Sequence, residues 1–122
     1  MVSDQNKTFG KAFYERQVAF LEAGDVAGLV GSQYLPDAEL VGYGLHVEGS
    51  QALLKHFSGY LAGLGGLKLV TTDKFMETEH GIMFEASVRV AAGVAHVYDI
   101  FVFKDGKAAY HFTGMLGFTP NS

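Results

Sequence analysis

The apolar residues of this chain change their spacing once, near Gly65-Gly66, and that change limits the fold more than any other feature. Up to about Leu64 the spacing is helical, with one short strand inserted. From about Leu67 onward it alternates and is rich in Val, Phe, Thr and Tyr. A helical half followed by strands joined through short turns predicts an α+β fold: three N-terminal helices packed on a curved antiparallel sheet.

The spacing predicts a first helix over about Thr8–Ala23. Phe9, Phe13, Gln17 and Phe20 form one stripe, with Tyr14, Val18 and Leu21 beside it. Gly24 ends this helix and Asp25 caps a second, Val26–Gln33. Pro36-Asp37 breaks the chain before a strand over Ala38–Tyr43, and Gly44–Gly49 reads as a loop. Ser50 is the expected N-cap of a third helix, about Gln51–Leu64, whose apolar face includes Leu53, Phe57, Tyr60 and Leu61. Four strands follow: Leu67–Thr78, Ile82–Ala91, Val94–Lys104 and Lys107–Phe118. Ala92-Gly93 and Asp105-Gly106 are the expected turns between the last three.

At 122 residues the expectation is a single domain over 1–122. Apolar residues at 48% and charged ones at 18% exclude a disordered chain. With no cysteine there is no disulfide, thiolate nucleophile or cysteine-bound metal, which fits a reducing, cytoplasmic setting. Met1 to Lys7 is polar, so no signal peptide is expected, and no apolar run suits a membrane span. The net charge is −4 with scattered Lys and Arg, so no nucleic-acid partner is expected.

Two-residue turns fix register, so the faces of the last three strands can be written down. One face then carries Phe84, Ala86, Val97, Asp99, Phe101, Tyr110, Phe112 and Gly114. The other carries Met83, Ser87, His96, Tyr98, Ile100, Val102, His111, Thr113 and Met115. Asp99, opposite Ala86 and Phe112, is the one acid on the face that the helices must cover. Burying a carboxylate without partners costs several kcal/mol, so Asp99 is either hydrogen-bonded within the core or lines a cavity. In a cavity it would serve as a general acid or oxyanion donor. A bulge in these strands would reverse the faces.

Four segments carry a family resemblance: Ala19-Phe-Leu-Glu-Ala-Gly-Asp-Val-Ala-Gly-Leu-Val30, Pro36-Asp-Ala-Glu-Leu40, Gly49-Ser-Gln-Ala-Leu-Leu-Lys-His-Phe57 and Tyr98-Asp-Ile-Phe-Val-Phe-Lys-Asp-Gly-Lys107. In order and spacing they resemble the NTF2-like superfamily, the cone-shaped fold of ketosteroid isomerases and SnoaL-like polyketide cyclases. The resemblance spans nearly the whole chain and implies a pocket inside the cone. Laid on ketosteroid isomerase, it puts the donor aspartate at Asp99, the helix-one tyrosine at Gln17 and the base at Gly42.

The catalytic candidates are therefore Asp99, Gln17 and Tyr14, the last two on the pocket-facing stripes of the first helix. Phe13, His46, Phe57, Tyr60, Phe84, Ala86, Phe101, Tyr110 and Phe112 are the expected substrate-binding residues. His46 would reach the cone mouth from its loop. His96 and His111, four residues apart along the strand direction at about 13 Å, are too distant to share a metal, and no metal or cofactor is implied. The outer face, with Met83, Tyr98, Ile100, Val102 and Met115, is too apolar for bare solvent, and a sheet-to-sheet homodimer would cover it. Two functions stay open: a cofactor-independent isomerase, cyclase or dehydratase acting on a small apolar carbonyl compound, or a non-catalytic binding or dimerisation module.

Overall fold

The computed structural model describes residues 7–122; the stretch before Lys7 lies outside them. The element order is α1 (Phe9–Ala23), α2 (Val26–Gln33), β1 (Tyr34–Gly42), β2 (Leu45–Glu48), α3 (Ser50–Leu64), β3 (Lys68–Thr78), β4 (Gly81–Val90), β5 (Gly93–Lys104) and β6 (Lys107–Pro120). Thr8 caps α1 by accepting from the Lys11 N–H, and Gly24 closes it at φ 70°. Asp25 accepts from the Gly28 N–H to start α2. The N-cap of α3 is Gly49 and not Ser50; at φ 92° it donates its N–H to the Ala38 carbonyl and has no side-chain cap to offer.

All six strands form one curved, unclosed sheet in the order β2-β1-β6-β5-β4-β3. It is mixed: β1 runs parallel to β6, and the other neighbours are antiparallel. The segment expected to be a loop after β1 contains β2, which folds back from Gly42↔Leu45 as a hairpin.

Two register findings decide which side chains face the helices. Between β4 and β5 the turn is Ala91-Ala92, with Val90 opposite Gly93. Gly93 is part of the ladder, opposite Pro120 on its other side, and only glycine fits there, since a Cβ would stand 2.2 Å from the Thr119 carbonyl oxygen. The slip is two positions, so every side chain keeps its expected face, and Asp99 lies opposite Phe84 instead of Ala86. Between β5 and β6 the pairing begins as expected with Lys104↔Lys107. It then shifts between Phe103↔Ala108 and Val102↔Tyr110, leaving Ala109 as an extra residue. This one-residue bulge reverses β6 from Tyr110 to Met115; a second shift, between Val97↔Met115 and His96↔Gly117, leaves Leu116 extra and restores the expected faces beyond it. His111 now faces Phe101, and Thr113 faces Asp99. Tyr110 and Phe112, expected inside, turn to the outer face, where they stack at 6.2 Å and are 42% and 36% exposed. Gly114 also lies on that face, beneath the Tyr98 ring.

The core between helices and sheet is filled by Phe13, Leu29, Tyr34, Leu40, Leu53 and Phe101, all essentially without solvent contact. Phe13 rests against Phe101 and Phe103 at ring distances of 5.1 and 4.7 Å. No helix among the described residues is long and apolar enough to cross a membrane.

Candidate active site

A cavity of ≈ 190 Å³ opens between α1, α3 and the sheet. Its wall is mainly aliphatic and aromatic, with a handful of polar side chains: Tyr14, Gln17, His56, Tyr60, Asp99, His111 and Thr113. Of the expected residues, the structure brings Asp99, Gln17, Tyr14, Phe57, Tyr60, Phe84, Ala86 and Phe101 to this cavity. Four others do not line it. Phe13 is wholly buried beneath it. His46 lies on β2, exposed, 2.8 Å from Glu39. Tyr110 and Phe112 are on the opposite face for the reason given above.

Asp99 is tied to His111, whose Nε2 stands 2.6 Å from Asp99 Oδ1. The two residues are diagonal neighbours on adjacent strands, because Asp99 pairs with Thr113 and Phe101 with His111. The His111 ring lies flat on Phe101 at 3.9 Å and is almost fully buried, which fixes its plane. Its other nitrogen, Nδ1, is 2.8 Å from the Tyr34 hydroxyl, which takes a further contact from Gln17 Nε2 at 3.0 Å. Gln17 Oε1 is met by Gln33 Nε2 at 3.2 Å, and that same nitrogen reaches the Phe13 carbonyl at 2.9 Å. Arg16 Nε closes the chain on Gln33 Oε1 at 3.1 Å.

The donors along this chain are fixed by its outer end. Arg16 can only donate, so Gln33 Oε1 accepts and Gln33 Nε2 donates to the Phe13 carbonyl and to Gln17 Oε1. Gln17 Nε2 must then donate to Tyr34. The Tyr34 oxygen is an acceptor there, so its own hydrogen points at His111 Nδ1. That nitrogen carries the lone pair, and the network assigns the His111 proton to Nε2, which donates to Asp99. A doubly protonated ring would strand the buried Tyr34 hydrogen without an acceptor. Burial above all, with the Asp99 charge adding to it, holds the Tyr34 phenol well above the usual range, so it remains a donor.

Both ends of Gln17 are thus spent within the protein, and the Tyr14 hydroxyl is taken by Thr72 Oγ1. Neither reaches out to a ligand. Asp99 Oδ2 has no hydrogen-bond partner among the described residues.

Sequence reasoning missed His111, Tyr34, Gln33 and His56. The first has a signal: an inward aspartate needs a partner, and only a reversed β6 supplies one. Tyr34, Gln33 and His56 carry none, because their neighbours are set by helix docking.

No protein-family model matches the sequence, and no curated protein does. Solved structures do match in shape. An NTF2-like protein from Anabaena variabilis superposes with a TM-score of 0.78 at 13% identity, over 96% of this chain and 93% of that one. A protein of Sinorhizobium meliloti, provisionally named a polyketide cyclase, gives 0.73 at 15% identity over 84% and 94%. TerC, co-crystallised with polyporic acid, gives 0.72 at 19% identity over 88% and 92%. The likeness is one of fold: three helices on a curved sheet, as the NTF2-like cone requires.

Proposed function

We propose that this chain of NTF2-like fold is a small-molecule enzyme of the isomerase, cyclase or dehydratase kind, with Asp99 as its general base. The observation that carries the reading is how Asp99 is held: its Oδ1 accepts from the His111 Nε2–H, and its second oxygen is left open in an apolar cavity. Asp99 Oδ2 takes a proton from the carbon beside a carbonyl, and the C–H electron pair becomes the enolate. The carboxylic acid so formed returns the proton to another carbon, or to a departing hydroxyl that leaves as water. Asp99 therefore acts as an acid only in the second half of the reaction, which replaces its expected part as a standing oxyanion donor.

The substrate is small. An apolar cavity of about 150 Å³ holds one benzene, so ≈ 190 Å³ suits a one- or two-ring molecule better than a steroid. The mainly apolar wall favours a neutral one. The test is deuterium uptake from D₂O at the α-carbon of small aryl and alkyl ketones. The native protein should exceed Asp99→Asn by about 10²–10⁴-fold. Equal rates in both, or none above buffer, would remove the base.

A second reading, a non-catalytic binding module, draws on Gly42. The resemblance puts a base there, yet glycine carries none, and a Cβ would stand 2.9 Å from the Thr113 carbonyl oxygen. Ligand binding without deuterium uptake would favour it. In either case we propose that residues 1–122 act as one domain and pair as a homodimer through the outer sheet face. Met83, Ile100, Leu116 and the Tyr110–Phe112 pair leave that face apolar. A monomeric mass by light scattering would remove the dimer.

A further inference from the structure

The polar groups of the cavity divide sharply into used and unused. Gln17, His111 and Tyr14 have every relevant atom committed to other side chains. The Thr113 hydroxyl leans towards the Tyr98 carbonyl at 3.5 Å. Three groups hold no hydrogen bond among the described residues: Asp99 Oδ2, the His56 imidazole and the Tyr60 hydroxyl. Asp99 lies on the sheet, whereas His56 and Tyr60 lie one turn apart on α3, so the free acceptor and the free donors stand on different walls.

We infer that His56 is the donor that holds the substrate's carbonyl oxygen from α3 while Asp99 works on the adjacent carbon from β5. This deepens the reading above and rests on it. The His56 ring is held for the task from two sides. It stacks on Tyr60 with ring centroids 5.9 Å apart and planes 14° apart, and it meets the edge of Phe57 at 5.4 Å. Burial first, and then the nearby His111, press the His56 ring towards its neutral form. A neutral imidazole keeps one N–H, which is a sufficient donor to an oxygen that gains charge as the enolate forms. No bond at His56 breaks; the proton moves only between carbon and Asp99.

The substrate class follows: a neutral ketone or enone whose enolisable carbon and carbonyl oxygen are reached from the sheet and from α3 respectively. Asp99 and His56 would thereby select the face of the molecule that loses its proton.

Acetophenone and ethylbenzene test this, being alike in shape but with and without the carbonyl. Their dissociation constants are measured by NMR titration against the native protein, His56→Phe and Tyr60→Phe. The carbonyl ¹³C shift of labelled acetophenone is read in each complex. The ratio of the two dissociation constants should favour acetophenone about fivefold more in the native protein than in His56→Phe, the worth of one hydrogen bond, with the ¹³C signal moved downfield in the native complex. The downfield shift should vanish in His56→Phe while ethylbenzene binds as before, and both effects should persist in Tyr60→Phe. A preference and shift unchanged in His56→Phe would overturn the assignment, as would their loss in Tyr60→Phe alone or the failure of both molecules to bind. None of these readouts needs turnover. A failed deuterium exchange with an intact carbonyl preference would therefore remove the base and leave the donor standing.

Discussion

His111 Nε2 meets Asp99 Oδ1 at 2.6 Å from the next strand, although an unbroken β6 would have put the two residues on opposite faces of the sheet. The bulge at Ala109 makes the pair. A second polar chain, running inward from Arg16, decides where its proton sits.

Tyr34→Phe removes one oxygen from the middle of that chain. Gln17 Nε2 then has no acceptor and His111 Nδ1 no donor, both in a buried region. The expected loss is about 1–3 kcal/mol of stability, read as a lower urea midpoint. The His111 ¹⁵N shifts should also move from a single Nε2–H form towards a mixture of tautomers. Unmoved ¹⁵N shifts would mean that Tyr34 does not set the tautomer.

Gly42→Ala should destabilise the fold by roughly 1–3 kcal/mol, because the added Cβ would press on main chain, which has little room to yield. Gly42→Asp should be at least as costly and should not restore ketosteroid isomerase chemistry. Thermal melts settle the first point, and a steroid isomerase assay settles the second.

Glu77 grips the start of α1 from β3. Its two carboxylate oxygens take the Thr8 hydroxyl at 2.5 Å and the Gly10 N–H at 2.9 Å. The negative charge also faces the positive end of the helix. Glu77→Gln should cost about 0.3–1 kcal/mol. Gly10→Ala should cost more, since its Cβ would come 2.5 Å from Glu77 Cδ and 2.6 Å from Ile82 Cγ2. If Gly10→Ala melted like the native protein, the close docking of α1 on this edge would be wrong.

His56 links stability to pH. Its folded-state pKa lies below the ordinary 6.5, because burial and then His111 disfavour the cation. Below 6.5 the unfolded chain therefore binds more protons than the folded one. The contribution is fully present above pH 6.5 and fades as the pH falls through the lowered folded-state value. Asp73, also lowered, by its bonds to Thr71 and Ser87, acts only in the window below its ordinary 3.8. The urea midpoint should drop between pH 7 and pH 5, and less steeply in His56→Gln. Parallel curves for the two proteins would count against the shift.

Much of this protein was legible because local rules act within a few residues. The limits of α2 and the ends of α1 and α3 follow from Asp25, Gly24 and Gly65. Asp105-Gly106 gave the one turn pairing read correctly, Lys104↔Lys107. Even the misplaced turn at Ala91-Ala92 kept Asp99 inward, because a slip of two preserves the faces of a strand. The β2 hairpin was hidden by its four-residue length, although Leu45-His-Val-Glu alternates.

What the sequence by itself determined is the order of helices and strands, the cone they build and the inward aim of Asp99, since periodicity, caps and turns are properties of neighbours in the chain. The tertiary structure alone decided the company Asp99 keeps. Residues Tyr110 to Thr113 alternate aromatic and polar, so their pattern fits either orientation, and the aromatic-inward choice looks better locally. The bulge wins because it pairs an inward, half-buried carboxyl with an imidazole, and the energy of leaving that group without a partner enters only when two strands meet.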